Sequence, residues 1–194
     1  MKVVMINGSP RVIGNTSNIL GDMREMFERE GIETEEIQLY AYNLMPCNDC
    51  RTCEIRGDGH CAVDEKDGFN EILNRMREAD GIILASPAYA GSATGVMRIF
   101  LERAALCLEK GDRGLRGKIG GAVTVAEHEG AEEAYMQLVF WMLRCEMLVV
   151  GTGHIPAFRA LNSPAYDGDE LALRGRKNLV DYMSRIISRL NGAE

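Results

Sequence analysis

Four cysteines lie close together in the first third of the chain, and their thiolates are candidate ligands for a metal centre. Cys47, Cys50, Cys53 and Cys61 follow the pattern C-x2-C-x2-C-x7-C. Thiolates at i, i+3 and i+6 of an irregular loop can converge on one iron–sulfur cluster, with a fourth from the end of the loop. Structural zinc more often takes two separated C-x2-C pairs. A [4Fe–4S] cluster, cysteines without metal, and zinc all stay open.

The surrounding sequence places these thiols in a reducing compartment. The first ten residues, MKVVMINGSP, hold an apolar run too short for the core of a secretory signal peptide. Elsewhere no apolar run reaches the ~18–20 residues of a membrane span. We therefore expect a cytoplasmic protein, in which structural disulfides are rare. Cys107 and Cys145 lie on predicted apolar helices, where we expect them to be buried as small hydrophobic residues.

A second group of polar residues stands in the segment GSPRVIGNTS at 8–17, between a predicted strand and a predicted helix. Backbone N–H groups at a helix start are unpaired and the helix dipole favours an anion, so this segment suits a phosphate. Side-chain donors are available from Ser9, Arg11, Asn15, Thr16 and Ser17. The segment lacks the lysine of the NTPase phosphate loop and the G-x-G-x-x-G pattern. The alternative is an ordinary capped helix start.

A third segment, SPAYAGSATG at 86–95, combines one aromatic ring with small residues. The ring of Tyr89 could lie on a planar ligand, and Gly91 and Gly95 leave room for backbone contact with it. The alternative is a strand end followed by a helix cap, with Tyr89 packed as a lid.

Short apolar runs alternate with helical patterns along the chain and must position these segments. The predicted strands are 3–6, 37–39, 82–85, 119–125 and 147–150. The predicted helices are 15–30, 68–79, 94–109, a stripe over 135–143, and 179–190. Nearly continuous apolar strands are buried on both faces, which indicates a parallel sheet between two helical layers.

Right-handed crossovers then give an α/β doubly wound sheet, and five strands favour the flavodoxin-like order 2-1-3-4-5. We expect one domain over 1–194, with a cysteine-rich loop at about 44–66. In this three-layer sandwich the loops after the strands gather at one edge, where ligands bind. The cysteine loop follows strand two, so we expect it at the same edge as the two other segments.

Composition and charge restrict the function further. The 194 residues are 46% hydrophobic and 26% charged, which is ordinary for a globular protein. The net charge is −7 and no basic run occurs. Binding to nucleic acid or to an anionic membrane surface needs a basic face, so neither is expected.

Together, the segments at 8–17 and 86–95 resemble the NADPH-dependent FMN reductase group of the flavodoxin-like superfamily, over about the first two thirds of the chain. The resemblance implies that FMN phosphate is held by Ser9, Arg11, Asn15, Thr16 and Ser17. It implies that the isoalloxazine ring lies along Pro87, Ala88, Tyr89, Ala90, Gly91 and Ser92. Relatives often carry Gly-Gly-Gln-Glu after the fourth strand, whereas this chain has EHEGAE at 127–132. We expect His128 there to be a solvated loop residue, and its alternative role is a proton donor to the flavin.

The cysteine spacing resembles the compact motif of iron–sulfur flavoproteins, a branch of the same superfamily. The implied function is an FMN-dependent oxidoreductase that passes electrons between FMN and a [4Fe–4S] cluster. Candidate reaction partners are NAD(P)H as co-substrate and a small-molecule or protein redox partner. The resemblance also implies a homodimer or homotetramer, because relatives often complete the flavin site across subunits. No residue is assigned a catalytic role.

Two other functions stay open. The first is an NAD(P)H-dependent FMN or quinone reductase in which the cysteines are only structural. The second is a non-enzymatic flavin- or metal-sensing module, which the absence of any appended partner domain in the sequence disfavours.

Overall fold

The computed structural model describes residues 1–63, 67–160 and 165–192. Its strands are β1 (Lys2–Asn7), β2 (Glu33–Gln38), β3 (Gly81–Tyr89), β4 (Ser92–Ala93), β5 (Ile119–Ala126), β6 (Leu148–Val149) and β7 (Ala157–Arg159). Its helices are α1 (Asn15–Arg29), α2 (Thr52–Arg56), α3 (Phe69–Glu78), α4 (Gly95–Lys110), α5 (Ala131–Arg144) and α6 (Glu170–Leu190). Short 3₁₀ turns lie at Leu39–Ala41 and Ala165–Gly168.

The main sheet has the order β2-β1-β3-β5-β6, and its neighbouring strands are all parallel. Numbered over the five predicted strands, this is the order 2-1-3-4-5, so the predicted flavodoxin-like fold is confirmed. The carboxyl ends of β1, β3 and β5 consequently meet at one edge. The loops that begin at Asn7, Tyr89 and Ala126 all start there.

Each face of the sheet is covered by its own set of helices. Buried side chains of α3, α4 and α5, including Phe69, Phe100 and Trp141, form the core on one face. Buried side chains of α1 and α6, including Phe27 and Leu179, form the core on the other. Across the described ranges, no helix combines the length and apolar character needed to cross a membrane.

The structure adds two strands and one helix to the predicted elements. β3 runs on to Tyr89 and pairs antiparallel with the short β4. The fifth predicted strand, 147–150, corresponds to β6, which pairs with the beginning of β5, whereas the added strand β7 pairs with the end of β5. Pro156 stands just before β7 and lacks the N–H that a continuous strand would donate. The third addition, α2, is a five-residue helix within the cysteine loop.

Two predicted elements begin earlier than their apolar residues suggest. β2 starts at Glu33, and only Ile37 within it is buried. It is an edge strand with charged side chains, so it has no apolar run to mark its start. α6 starts at Glu170, where the Asp169 side chain accepts a hydrogen bond from the Ala172 N–H at 3.1 Å. This N-cap is a local signal that hydrophobic periodicity does not detect.

Candidate functional site

Asn7, the last residue of β1, organises the loop that leads into α1. Asn7 is buried, and its side-chain carbonyl oxygen accepts a hydrogen bond from the Ser9 N–H at 2.9 Å. Its amide donates to the Ser17 hydroxyl at 3.1 Å and to the Glu36 carboxylate at 2.7 Å. The Ser9 hydroxyl in turn accepts from the Arg11 N–H at 3.1 Å. These bonds fold the loop around the start of α1. Asn7 was not among the predicted site residues, although a polar residue at the end of a buried strand is a usable signal.

The start of α1 has the character of an anion site. Gly14 occupies the N-cap position, and within the described residues no side chain caps the helix. The Thr16 side chain is buried there and Ser9 is buried beside it. An uncapped helix start keeps its dipole and backbone donors available to an anion. The arrangement therefore suits a phosphate better than the ordinary capped start that the sequence also allowed.

The segment after β3 is a tight hairpin rather than an open loop. Tyr89 and Ser92 are paired, and the two residues between them have positive φ, 50° at Ala90 and 72° at Gly91. Two successive left-handed residues define a type I′ turn, which usually takes Asn or Gly. Ala90 is therefore strained, as residues at ligand sites often are. The hairpin holds Tyr89 47% exposed, so Tyr89 is not the packed lid that was the alternative.

Thr94 connects this hairpin to the first loop. Its hydroxyl donates to the Gly8 carbonyl at 2.7 Å, and its N–H donates to the Ser86 hydroxyl at 3.1 Å. A Cβ on Gly8 would lie 3.1 Å from atoms of both Thr94 and Met97. A side chain at position 8 would therefore push the two loops apart. Thr94 is a positioning residue for both loops, and it was not among the predicted site residues.

The two loops line one cavity of about 150 Å³, here called the edge cavity. Its lining includes seven of the predicted flavin-binding residues, namely Ser9, Arg11, Asn15, Thr16, Pro87, Ala88 and Tyr89. Gly14 of the first loop also lines it, and the rest of the wall is formed by Val125, Ala126, Glu127 and Ala160, which were not predicted. The other predicted residues, Ser17, Ala90, Gly91 and Ser92, do not line it. The Ser17 hydroxyl is engaged with Asn7 and with the Arg11 carbonyl at 3.3 Å.

The loop after β5 packs against the hairpin through glycine. Gly130 has a φ of 92°, and a Cβ there would lie 2.9 Å from the Gly91 Cα. This contact requires glycine at position 130, because a Cβ would overlap the hairpin backbone. His128 in the same loop is exposed, and its nearest acidic neighbour is Glu127 at 3.8 Å. His128 is thus the solvated residue that we expected.

The four cysteines of the predicted ligand set line a second cavity, of about 320 Å³, here called the cysteine cavity. Cys47, Cys50, Cys53 and Cys61 all contribute, and Cys107 of α4 joins them. In the described parts of the chain, no three Cys, His, Asp or Glu side chains are close enough to hold one metal ion. The four thiols therefore line one cavity but do not meet at a single position that could hold one metal ion.

The backbone beside Cys50 is strained. Asp49 and Arg51 have φ values of 51° and 56°, a left-handed conformation that is unfavourable for residues with a Cβ. The Thr52 hydroxyl and N–H donate to the Cys50 sulfur and lower the pKa of this thiol. The Cys47 sulfur accepts from the Asp49 N–H at 3.4 Å. The turn thus holds Cys50 at the surface with hydrogen bonds that favour its thiolate.

Cys61 is the most firmly held cysteine of the loop. Its N–H donates to the Asn70 carbonyl oxygen at 2.8 Å, and the Asn70 amide donates back to the Cys61 carbonyl at 2.9 Å. Its sulfur accepts from the Arg103 guanidinium at 3.2 Å. Cys107 differs, because burial raises its pKa to about 12 and keeps it a neutral thiol. Cys107 and Cys145 are both buried, as predicted.

The position of the cysteine cavity corrects the expectation that it lies beside the flavin-binding segments. The two cavities share no lining residue. Thr94 at the start of α4 touches the first loop, whereas Cys107 lies 13 residues further on, roughly 20 Å at 1.5 Å per residue. A Cβ on Gly111 would lie 2.3 Å from the Gly59 Cα. The loop therefore leaves the expected edge and folds back along α3 and α4.

Comparisons with known proteins agree with the fold. The sequence profile of the NADPH-dependent FMN reductase family matches residues 1–160. An iron–sulfur flavoprotein of Methanocaldococcus jannaschii is 35% identical over 195 residues, which cover 96% of this chain and 97% of that one. An iron–sulfur flavoprotein of Methanosarcina thermophila is 33% identical over 153 residues, 78% of each chain. A flavodoxin from the domain Archaea superposes with a TM-score of 0.61 at 17% identity, covering 97% of this chain and 99% of that one.

The fold and these relatives define a flavin-dependent oxidoreductase. The chain belongs to the NADPH-dependent FMN reductase family, among its iron–sulfur flavoproteins. The resemblance inferred from the two loops and the cysteine spacing is thereby confirmed.

Proposed function

We propose that this oxidoreductase binds FMN at the edge cavity and one [4Fe–4S] cluster at the cysteine cavity, and that electrons pass between them. The observation that carries the proposal is the convergence of four cysteines, selected by spacing alone, on one cavity. A flavin exchanges one or two electrons and a cluster exchanges one, so the pair can couple a two-electron donor to a one-electron acceptor. NAD(P)H is the proposed donor, and the acceptor is a small molecule or a redox protein.

The edge cavity fits the phosphate end of FMN. Arg11 supplies a cation, Thr16 and Asn15 supply polar groups, and the start of α1 supplies its dipole. At about 150 Å³ the cavity is smaller than the ~300–1,000 Å³ typical of whole-ligand sites. It therefore suits the phosphate of FMN and the part of the cofactor next to it, while the flavin ring lies against the exposed Tyr89 hairpin. The remaining proposed contacts are Ser9, Ser17 and the residues from Pro87 to Ser92.

The cysteine cavity fits a cluster better than a single zinc ion. A [4Fe–4S] cluster takes one thiolate per iron, so its ligands surround a volume instead of converging on one point. The four cysteines all line the one cavity, and the described residues offer no three ligands close enough for one ion. The lowered pKa of Cys50 favours its thiolate, and the Arg103 guanidinium donates a hydrogen bond to the Cys61 sulfur. Cys107, with a pKa of about 12, is not a proposed ligand.

We also propose that the protein is a homodimer or homotetramer. Within one chain, Cys107 of the cysteine cavity lies roughly 20 Å along α4 from Thr94, which contacts the first loop, and transfer between copies would avoid that path. An apolar stripe on α5, formed by Met136, Phe140 and Leu143, is exposed and suits contact with a second copy. The six free cysteines agree with a cytoplasmic location, where thiols stay reduced.

A second candidate function is an NAD(P)H-dependent FMN or quinone reductase without a cluster. The observation that favours it is the packing of Cys53 and Cys61 against the buried core beneath α3 and α4. Cysteines in such positions can serve as small hydrophobic residues with no metal.

Anaerobic purification and reconstitution with iron and sulfide separate these functions. Iron, sulfide, zinc and FMN are then quantified per chain. The proposal predicts about four iron, about four sulfide and about one FMN. FMN with less than one iron per chain would leave the plain reductase. Stoichiometric zinc that iron does not displace would assign the cysteines to a structural zinc site.

A further inference from the structure

Arg103 is a buried cation behind the cysteine cavity. It lies on α4 with 1% of its surface exposed. One guanidinium nitrogen donates to the Cys61 sulfur at 3.2 Å, and the other donates to the Met45 carbonyl at 2.9 Å and forms an ion pair with Asp67. The guanidinium carbon lies 4.2 Å from the ring centre of Phe69. Its orientation is therefore fixed from several sides.

Asp67 extends this contact to the beginning of the cysteine loop. One of its carboxylate oxygens accepts from the Met45 N–H at 3.0 Å, and the other accepts from the Phe69 N–H at 3.2 Å. Met45 stands two residues before Cys47, the first cysteine of the loop. The Arg103–Asp67 pair thus holds the backbone at Met45, just before the first cysteine, through hydrogen bonds. Arg103 also contacts the last cysteine, Cys61.

Burial of this pair is hard to explain by stability alone. Removing both charges from water costs free energy that their attraction often does not repay, and apolar residues of similar volume are frequently as stable. The other charged side chains that line the cysteine cavity, Asp49, Arg51, Glu54 and Lys110, lie toward solvent, where water and salt screen them. Arg103 is the buried charge whose N–H meets a proposed ligand sulfur.

We propose that Arg103 is a positioning residue that fixes Cys61 as a ligand and raises the reduction potential of the cluster. This inference rests on the proposed function. A cluster held by Cys61 would, on reduction, place added negative charge on its ligand sulfurs. A cation that donates a hydrogen bond to one of these sulfurs stabilises the reduced state more than the oxidised state.

The test uses paired substitutions in the full chain, reconstituted with iron, sulfide and FMN. Arg103→Met with Asp67→Asn removes the charges of both partners, so no buried charge is left unpaired. Arg103→Lys keeps the cation. The control, Arg176→Met with Asp22→Asn, removes an Arg–Asp pair between α6 and α1, on the opposite face of the sheet. Iron and FMN per chain are measured first, and the midpoint potential is then measured by anaerobic redox titration with dithionite, followed by EPR.

We expect the Arg103–Asp67 double variant to have a more negative midpoint potential. The expected size is about a tenfold lower ratio of reduced to oxidised cluster at a fixed potential, which is ~59 mV for one electron. Arg103→Lys should restore most of this shift, and the control should match the unsubstituted protein. Loss of iron alone, with FMN and the melting temperature unchanged, would also support the positioning role.

Two further results separate the inference from the proposed function. An unchanged potential at full iron content would overturn the role of Arg103 and leave the cluster standing. An unsubstituted protein that takes up no iron would overturn the cluster, and this inference with it. If the double variant loses iron, FMN and its folded state together, the pair is a core element only and the proposal is overturned.

Discussion

The edge cavity is walled by the ends of parallel strands, whereas the cysteine cavity is walled by one irregular loop and the second half of α4. The order of the sheet brings the strand ends together, so topology alone places the first site. No strand places the cysteines, which depend on anchors such as Asn70 and the buried Arg103–Asp67 pair. A sheet edge therefore locates a site directly, whereas a loop site is located by the side chains that anchor the loop.

The largest expected effect is the loss of iron when one cysteine of the loop is removed. Cys50→Ala should strip most of the iron, because each cluster iron needs its own thiolate. FMN content should stay unchanged, since Cys50 does not line the edge cavity. Iron and FMN are measured per chain, with Cys145→Ala as the buried control that keeps its iron. Full iron in Cys50→Ala would remove it from the ligand set.

Cys50 and Cys107, two of the thiols around the cysteine cavity, should also differ in reactivity by orders of magnitude in the cluster-free chain. The pKa of Cys50 is lowered by Thr52, so its thiolate persists to lower pH than usual. The pKa of Cys107 is about 12, so at about pH 8, four units lower, only about one Cys107 in ten thousand is a thiolate.

Iodoacetamide at that pH should therefore modify Cys50 quickly and leave Cys107 intact until the chain unfolds, as read by peptide mass spectrometry. Thr52→Val should slow the modification of Cys50, because it removes the hydroxyl donor. Equal modification rates for Cys50 and Cys107 in the folded chain would contradict this account.

In the edge cavity, Thr16→Val should weaken FMN binding about tenfold or more. A hydrogen bond to a charged group contributes ~1.5–3 kcal/mol, and ~1.4 kcal/mol is a factor of ten in affinity. Riboflavin has no phosphate, so its affinity should not change. Thr34→Val on the edge strand β2 is the matched control. A parallel loss of riboflavin affinity in Thr16→Val would show that the phosphate is not what Thr16 contacts.

The smallest effect is expected at the hairpin. Tyr89→Ala should lower riboflavin affinity by roughly two- to tenfold, since an aromatic contact is worth ~0.5–1.5 kcal/mol beyond its buried area. Flavin fluorescence titration measures the change. Tyr40→Ala serves as control, because Tyr40 is also 47% exposed but does not line the edge cavity. Equal affinities for the two variants would make Tyr89 a surface residue only.

Apolar runs and turn residues made most of the fold predictable. β1 carries four consecutive apolar residues at 3–6 and β5 is buried along its whole length, and the loops after β1 and β3 follow from where those strands end. β7 escaped prediction because it is three residues long and follows a proline. Its pairing with the end of β5 depends on the tertiary structure.

The anchors of the cysteine loop were less accessible from sequence. Arg103 and Asp67 are 36 residues apart, and charged residues are normally expected at the surface. One signal was present, because Arg103 lies three residues after Phe100 and four before Cys107, on the buried face of α4. The path of the loop itself was not predictable, since spacing shows that cysteines can converge but not where they do so.

Counting electrons shows whether one chain carries both a redox-active flavin and a redox-active cluster. The reconstituted protein, with its FMN and cluster contents known, is titrated anaerobically with dithionite while absorption and EPR are recorded. The account predicts about three electrons per chain, two at the flavin and one at the cluster, and about two in Cys53→Ala. Two electrons in both proteins, with no cluster signal in the EPR spectrum of the reduced unsubstituted protein, would contradict it.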